Sequence, residues 1–243
     1  MSSWVWLFLL GTLLVAAVGY ALTRKALGPQ SANRNFVYAL PWLIAGAVLP
    51  LILSPLGSYA FVILYGLYAV GVLLWLGSWP LRKRQAGELL IRVGTTFQNR
   101  ILFVFGLLQV GLAIAMTFNQ LDLFTGALAT TGGMVSGIAK LAFWWTLALL
   151  FLSIGQSNLE LHEHGLTHLF AWQPWERISA FGWDDDQPTT LILKTQPRTF
   201  LSRKYLTMSI PSTQVEEVDR LLEDYLLETD LAAEMDGDMA SQA

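Results

Sequence analysis

Hydrophobic and polar positions follow two different patterns along this chain. Up to about residue 155 the apolar residues run in long blocks, and beyond it they alternate or recur at helical spacing. A helix needs about 20 apolar residues to cross a bilayer core. Five blocks meet that length, at 4–22, 36–53, 59–79, 101–118 and 138–154. Pro41 and Pro50 interrupt the second, so a re-entrant segment is the alternative there. Membrane helices tolerate proline where neighbours satisfy the freed carbonyls. The stretch SPLGS at 54–58 marks a tight turn before the third block. The first block has no basic segment ahead of it, carries Arg24 and Lys25 behind it, and is longer than a signal-peptide core. It reads as a retained anchor.

The second pattern begins near Ser157. LELHEHGLTHLFA alternates, turns at His164-Gly165 and alternates again, which is a hairpin pattern. Pro174 lacks an amide donor and belongs at a strand edge, start or bulge. Further strands are expected at 178–183, 189–194 and 200–210, with a turn at 184–188. Thr213 and Glu216 have capping-box spacing. Val215, Val218, Leu221, Leu222, Tyr225 and Leu226 then form an apolar stripe. From about Asp230 the residues are small and acidic, so 230–243 reads as a disordered tail. The expected architecture is a membrane α-helical bundle over 1–156 and a small α+β domain over 157–229. In that domain, antiparallel strands are closed by one C-terminal helix.

The runs GLTHLFAWQPWERISAFGWDDD, TTLILK and MSIPSTQVEEVDRLLEDYL carry a resemblance. They look like the pleckstrin-homology-like (PH-like) domains attached to small bacterial membrane proteins. There a glycine-turn hairpin leads to a Pro-Trp-acidic-x-Ile step, and an Ile-Pro step enters a closing helix. The whole chain resembles an uncharacterised cyanobacterial family of multi-pass membrane proteins with this layout. The resemblance implies a fold and a membrane, which would be the plasma membrane or, in a cyanobacterium, the thylakoid. It implies no activity or cofactor.

Composition sharpens the division. Only 14% of the 243 residues are charged and 54% are hydrophobic, against about 25% charged in soluble domains. There is no cysteine, which excludes disulfides, thiolate metal sites and cysteine nucleophiles. Residues 1–156 hold nine Lys or Arg against two Asp or Glu, a balance of +7. Residues 157–243 hold six against sixteen, a balance of −10. Arg24, Lys25 and Arg34 flank the first connection, and Arg82, Lys83, Arg84, Arg92 and Arg100 the third. The positive-inside rule then places the amino terminus outside and the C-terminal domain in the cytoplasm. The third connection, 82–100, mixes Leu89, Leu90, Ile91 and Val93 with these basic residues. It reads as a short interfacial helix with Arg82, Lys83, Arg84 and Arg92 toward anionic lipid, and as a place for the acidic domain to dock.

Candidate chemistry is sparse. No Asp, Glu, Arg or His lies deep in a span, which weighs against proton-coupled transport and intramembrane proteolysis. Gln109 is the one strongly polar residue near a span centre and is expected to bond a neighbouring helix. Gly106 and Gly111, with Gly66 and Gly71, permit close helix contact. Trp4, Trp6, Trp75 and Trp79 suit aromatic belts, and Trp144-Trp145 sits deeper. His162, Glu163, His164 and His168 read as solvated hairpin residues in preference to a metal site, because the turn breaks their common face. Asp184, Asp185 and Asp186 lack the ligand spacing of a calcium loop. Lys194, Arg198, Arg203 and Lys204 make a basic hairpin, but the acidic domain around it opposes attraction to anionic lipid or nucleic acid. P-loop, GxGxxG and GxSxG patterns are absent.

The Trp-rich stretch 172–183 has two readings. In one, Ile178 enters the core and Trp175 covers an edge. In the other, Trp172, Trp175, Arg177 and Trp183 form a partner-binding patch. The expected function is a non-catalytic, membrane-anchored interaction or assembly factor without a cofactor, its partner a protein, for example within a membrane complex. A transporter or channel component with a regulatory domain is the alternative. A membrane enzyme using His162, His168 or Glu176 comes third.

Overall fold

The computed structural model describes residues 3–53, 57–125, 131–184, 187–196 and 204–228. The expected tail at 230–243, the turn at 54–56, Asp185 and Asp186, and Arg198 and Arg203 lie outside these residues, as do the side chains of Trp4 and Trp6.

The long apolar blocks are helical. Among the described residues, three helices are long and apolar enough to cross a membrane: Tyr59–Gln85, Phe97–Gln120 and Gly132–Gly155. The chain is therefore a membrane protein, and these three match the third, fourth and fifth expected spans. The first two blocks fall in α1 (Ser3–Leu53), which departs from helical geometry at Gly28 (φ 79°, ψ 168°). The Tyr20 hydroxyl donates to Asn33 Oδ1 at 2.6 Å, and the Tyr20 and Phe36 rings meet at 5.7 Å. A straight helix rises ~1.5 Å per residue and would hold such pairs ~20 Å or more apart. The chain therefore doubles back at Gly28, where glycine tolerates the positive φ.

Next come α2 (Ser58–Gly77) and the short α3 (Trp79–Gln85), which follows directly, with Pro80 in its first turn. Proline lacks the N–H that would continue α2 and fits a helix start. Helices α4 (Phe97–Thr125) and α5 (Thr131–Gly155) form a close pair. A Cβ at Gly106 would lie 2.8 Å from the Leu152 backbone, and one at Gly155 2.5 Å from that of Phe103. Nothing lies within 4 Å of such an atom at Gly66, Gly71 or Gly111. Of the four glycines expected to permit contact, Gly106 does so, and Gly155 joins it. The buried side-chain oxygen of Gln109 accepts no hydrogen bond. Trp144 meets Phe143 edge-on at 5.3 Å, while the partly exposed Trp145 donates to Thr117 Oγ1 at 3.1 Å.

The alternating half, joined by one strand from the third connection (β1, Leu89–Gly94), forms two four-stranded sheets. One has the order β1-β2-β3-β4 and the other β7-β6-β5-β8. Strands β2 (Leu159–His162) and β3 (Gly165–His168) are the expected hairpin, and β5 (Ile178–Trp183) and β6 (Thr190–Thr195) the next two strands. Strand β7 (Tyr205–Ser209) covers the later part of the fifth. Pro174 closes an additional strand, β4 (Ala171–Pro174), opposite Gly165. Helix α6 (Val215–Tyr225) follows as expected, but Gln214 is its N-cap and no side chain caps it. A short 3-10 turn at Ser212–Gln214 takes up Thr213 instead. The two-residue β8 (Leu227–Glu228) pairs parallel with β5. Leu159, Leu161 and Leu166 from the first sheet, Phe181, Leu191, Leu193 and Met208 from the second, and Val218 and Leu222 from α6 share one core.

The largest departure from the sequence reading lies in the third connection. Leu89–Gly94 is not an interfacial helix; it is β1, paired antiparallel with β2. Ile91 and Val93 are buried in the domain core, and Arg92 faces the other way. The hydrophobic residues among those arginines are strand residues at period two. The helical half of the sequence therefore supplies an edge strand of the domain.

Candidate functional site

Thr96, Asn99, Glu160, His162 and Thr167 are buried polar residues where the helices enter the domain. Arg92, Glu160, Thr167 and Trp172 are successive cross-strand partners. Directly opposed residues share a sheet face, so these four make a row across the first sheet, on the side away from the core.

Glu160 is the centre of that row, with only 4% of its side-chain surface exposed. Lys83 Nζ lies 2.5 Å from one carboxylate oxygen and His162 Nε2 3.5 Å from the same oxygen. Arg92 Nε donates to the other at 3.2 Å. Burial pushes the Glu160 carboxyl up, but the Lys83 hydrogen bond and the charges of Lys83, Arg92 and His162 outweigh it. The carboxyl is held below its ordinary range. His162 Nδ1 lies 3.2 Å from the Gly87 carbonyl oxygen, and the His162 carbonyl accepts from Trp175 Nε1 at 3.0 Å.

Beside this cluster, the β3–β4 turn meets the membrane helices. His168 pairs with Ala171, leaving a two-residue turn of Leu169 (φ 50°) and Phe170 (φ 59°). Positive φ at both central residues is the geometry of a type I′ hairpin, which normally selects Asn and Gly. Two bulky residues there cost of order 1–3 kcal/mol each. The turn carries Phe170 to Trp79 at 4.8 Å and to Trp75 at 5.8 Å between ring centres. Arg82 lies over both indoles, at 5.0 Å from Trp75 and 5.4 Å from Trp79. It donates to the Phe170 carbonyl at 3.0 Å and to the Trp75 carbonyl. Backbone strain at the turn is thus offset by a contact with the bundle.

A third joint lies at Asn99, which is fully buried. Its Nδ2 donates to the carbonyls of Ile154 and Ser157, both at 2.8 Å. Its Oδ1 accepts from the Thr96 amide, and its own amide donates to Thr96 Oγ1. That reciprocity caps α4 and ties its start to the end of α5. Between these joints, a cleft of about 340 Å³ is lined by Trp79, Lys83, Gln156, Asn158, Glu160 and Phe170, among others.

The expected site residues fall in several settings. Trp175 is buried, stacks on Tyr225 at 5.1 Å and belongs to the core. Trp183 packs against that core and donates to Asp219 Oδ1 at 2.7 Å. Trp172 and Arg177 are half-buried. The three indoles therefore do not share one exposed surface. Of the four basic residues read toward lipid, Arg82 lies against two indoles, and Lys83 and Arg92 hold Glu160. Arg84 is exposed. The histidines diverge: His162 faces Gly87 and Glu160, His168 Nε2 lies 3.0 Å from Gln98 Oε1, and His164 is exposed at the turn. Among the described residues, no three His, Asp or Glu side chains gather as metal ligands.

The sequence reading did not single out Glu160, Phe170 or Asn99. Asn99 had a signal in the Thr96-x-x-Asn99 spacing. Glu160 and Phe170 had none, because their partners are remote in sequence. Residues 157–227 match the model of a domain of unknown function, DUF5673. No curated protein and no solved structure matches the chain. The matched region begins at Ser157, so β1, which completes its sheet, lies outside it.

Proposed function

We propose that this protein is a non-catalytic membrane-anchored interaction or assembly factor, whose C-terminal domain docks a protein partner at the membrane surface. The observation that carries this reading is the strand β1. A sheet completed by a segment between two membrane helices cannot swing on a tether; it is presented in a fixed orientation. Fixed presentation lowers the ordering cost of binding a partner.

The domain is read as PH-like. Seven antiparallel strands in two sheets closed by a C-terminal helix suit that layout. The reversal at Gly28 favours two further spans in α1, five in all. The first and third connections lie toward the domain: a Cβ at Gly28 would stand 3.6 Å from the Gln187 side chain, Lys204 N–H approaches the Tyr38 hydroxyl at 3.5 Å, and Lys83 reaches Glu160. Under the positive-inside rule that side is cytoplasmic, and in a cyanobacterium the membrane would be the thylakoid.

The docking surface is assigned to the edge strand β4 and the turn after it, through Trp172 and Arg177. Trp175 is unsuitable for a test, since deleting a buried Trp costs about 3–5 kcal/mol and would unfold the domain. The test is in-membrane crosslinking and co-purification with the Trp172→Ala/Arg177→Glu double variant beside the parent. A stoichiometric partner, lost in a variant whose unfolding temperature is unchanged, is the expected result. A partner retained equally by both would refute this surface. No partner in either would refute the docking function and turn attention to transport.

A further inference from the structure

Among the described residues, one face of α4 meets only Val18 and Leu22 of α1, across a groove. Phe97, Ile101 and Phe105 recur every four residues, as do Arg100, Val104 and Leu108, so the two rows form a single stripe. A different part of α4, at Phe103 and Gly106, takes the contact with α5. Opposite the stripe stand Val18 and Leu22 of α1, and between the two helices lies a groove of about 420 Å³. Its lining is apolar, with Arg100 contributing its hydrocarbon stem. Val104 and Leu108 are 56% and 65% exposed.

The groove's length and charge both indicate what fills it. From Arg100 to Leu108 the stripe covers eight steps of helix, about 12 Å at ~1.5 Å per residue. One leaflet of a ~30 Å hydrocarbon core is ~15 Å deep. At one end stands Arg100, three residues inside the apolar span that starts at Phe97, and it is exposed. Arg24 and Lys25, also exposed, lie within one helical turn of Leu22. The groove is therefore hydrocarbon for most of the depth of a leaflet and cationic at the headgroup level. Water has no polar partners in it.

We propose that this groove binds one anionic glycerophospholipid. An acyl chain lies along the α4 stripe, and the phosphate sits at Arg100, with Arg24 and Lys25 favouring a net negative headgroup. Basic sites between membrane helices hold acidic headgroups by the same physics.

The test places the full chain in bilayers of equal phosphatidylglycerol and phosphatidylcholine, extracts it into a nonionic detergent and counts the retained lipid by native mass spectrometry. The parent chain is expected to keep about one phosphatidylglycerol and to exclude phosphatidylcholine. Arg100→Glu should lower that occupancy roughly tenfold or more. Val104→Trp should remove it by filling the groove, while Leu67→Trp, on the exposed face of α2, should leave it unchanged. Equal retention of both lipids, no retained lipid, or phosphatidylglycerol kept by Val104→Trp would each overturn the proposal. So would a dimer of the parent that Val104→Trp converts to monomer, since a second copy would then cover the groove. Should Arg100→Glu fail to fold, the competition between the two lipids in the parent chain still decides.

Discussion

Glu160 shows how a single residue joins the two halves of the molecule. It projects from β2 and is held by Lys83 from α3 and Arg92 from β1. Its carboxyl sits below the ordinary range because these cations outweigh its burial. A carboxyl lowered in the folded state favours folding when ionised. That contribution is complete above the unfolded value, about 4.3, and is lost as the pH falls through the folded value. Glu160→Gln should therefore lower the unfolding temperature at pH 7 and weaken the dependence on acid. Unfolding temperatures of both proteins between pH 7 and pH 3 check this. Parallel curves would show that the carboxylate makes no such contribution.

Between elements, the decisive event is the pairing of β1 with β2. Without β1, the first sheet would lose Ile91 and Val93 from its core and expose the β2 edge. Unpaired edges and uncovered apolar residues favour aggregation over folding. The matched region 157–227 alone is thus expected to be unfolded or aggregated. A chain that joins residues 86–95 ahead of it through a flexible linker should give a cooperatively folded domain. Circular dichroism with urea titration distinguishes the two. A cooperative transition from 157–227 alone, at the same midpoint, would refute the dependence on β1. Elements with local signals were legible at this scale. The β2–β3 hairpin follows from its alternation, although the turn falls one residue earlier than expected, at Glu163-His164, with Gly165 opening β3, and α6 follows from its apolar stripe. The capping box at Thr213 was a wrong inference, since the spacing alone does not say where the helix begins.

At the scale of the whole molecule, the proposed topology places the amino terminus and the domain on opposite sides of the membrane. The chain has no cysteine, so each introduced one is a unique probe. Ser2→Cys is expected to react with an impermeant thiol reagent on intact cells. Gln196→Cys, exposed beside β6, should react only after permeabilisation. Labelling of both from the same side would remove the five-span reading and leave an even number of crossings.

The sequence by itself determined the membrane character, three of the spans and most of the domain's strands and helix. Those depend on composition and on short-range periodicity, which the side chains of neighbouring residues set. Only the tertiary structure decided that Leu89–Gly94 belongs to the domain, that Trp175 is core, and that Lys83, Arg92 and Glu160 form one cluster. Each of these rests on partners many residues apart, brought together by burying a shared core, and no local pattern encodes that choice. Tryptophan in particular reads the same in sequence whether its ring stacks on Tyr225 or faces water. Which it does depends on what the rest of the chain places against it.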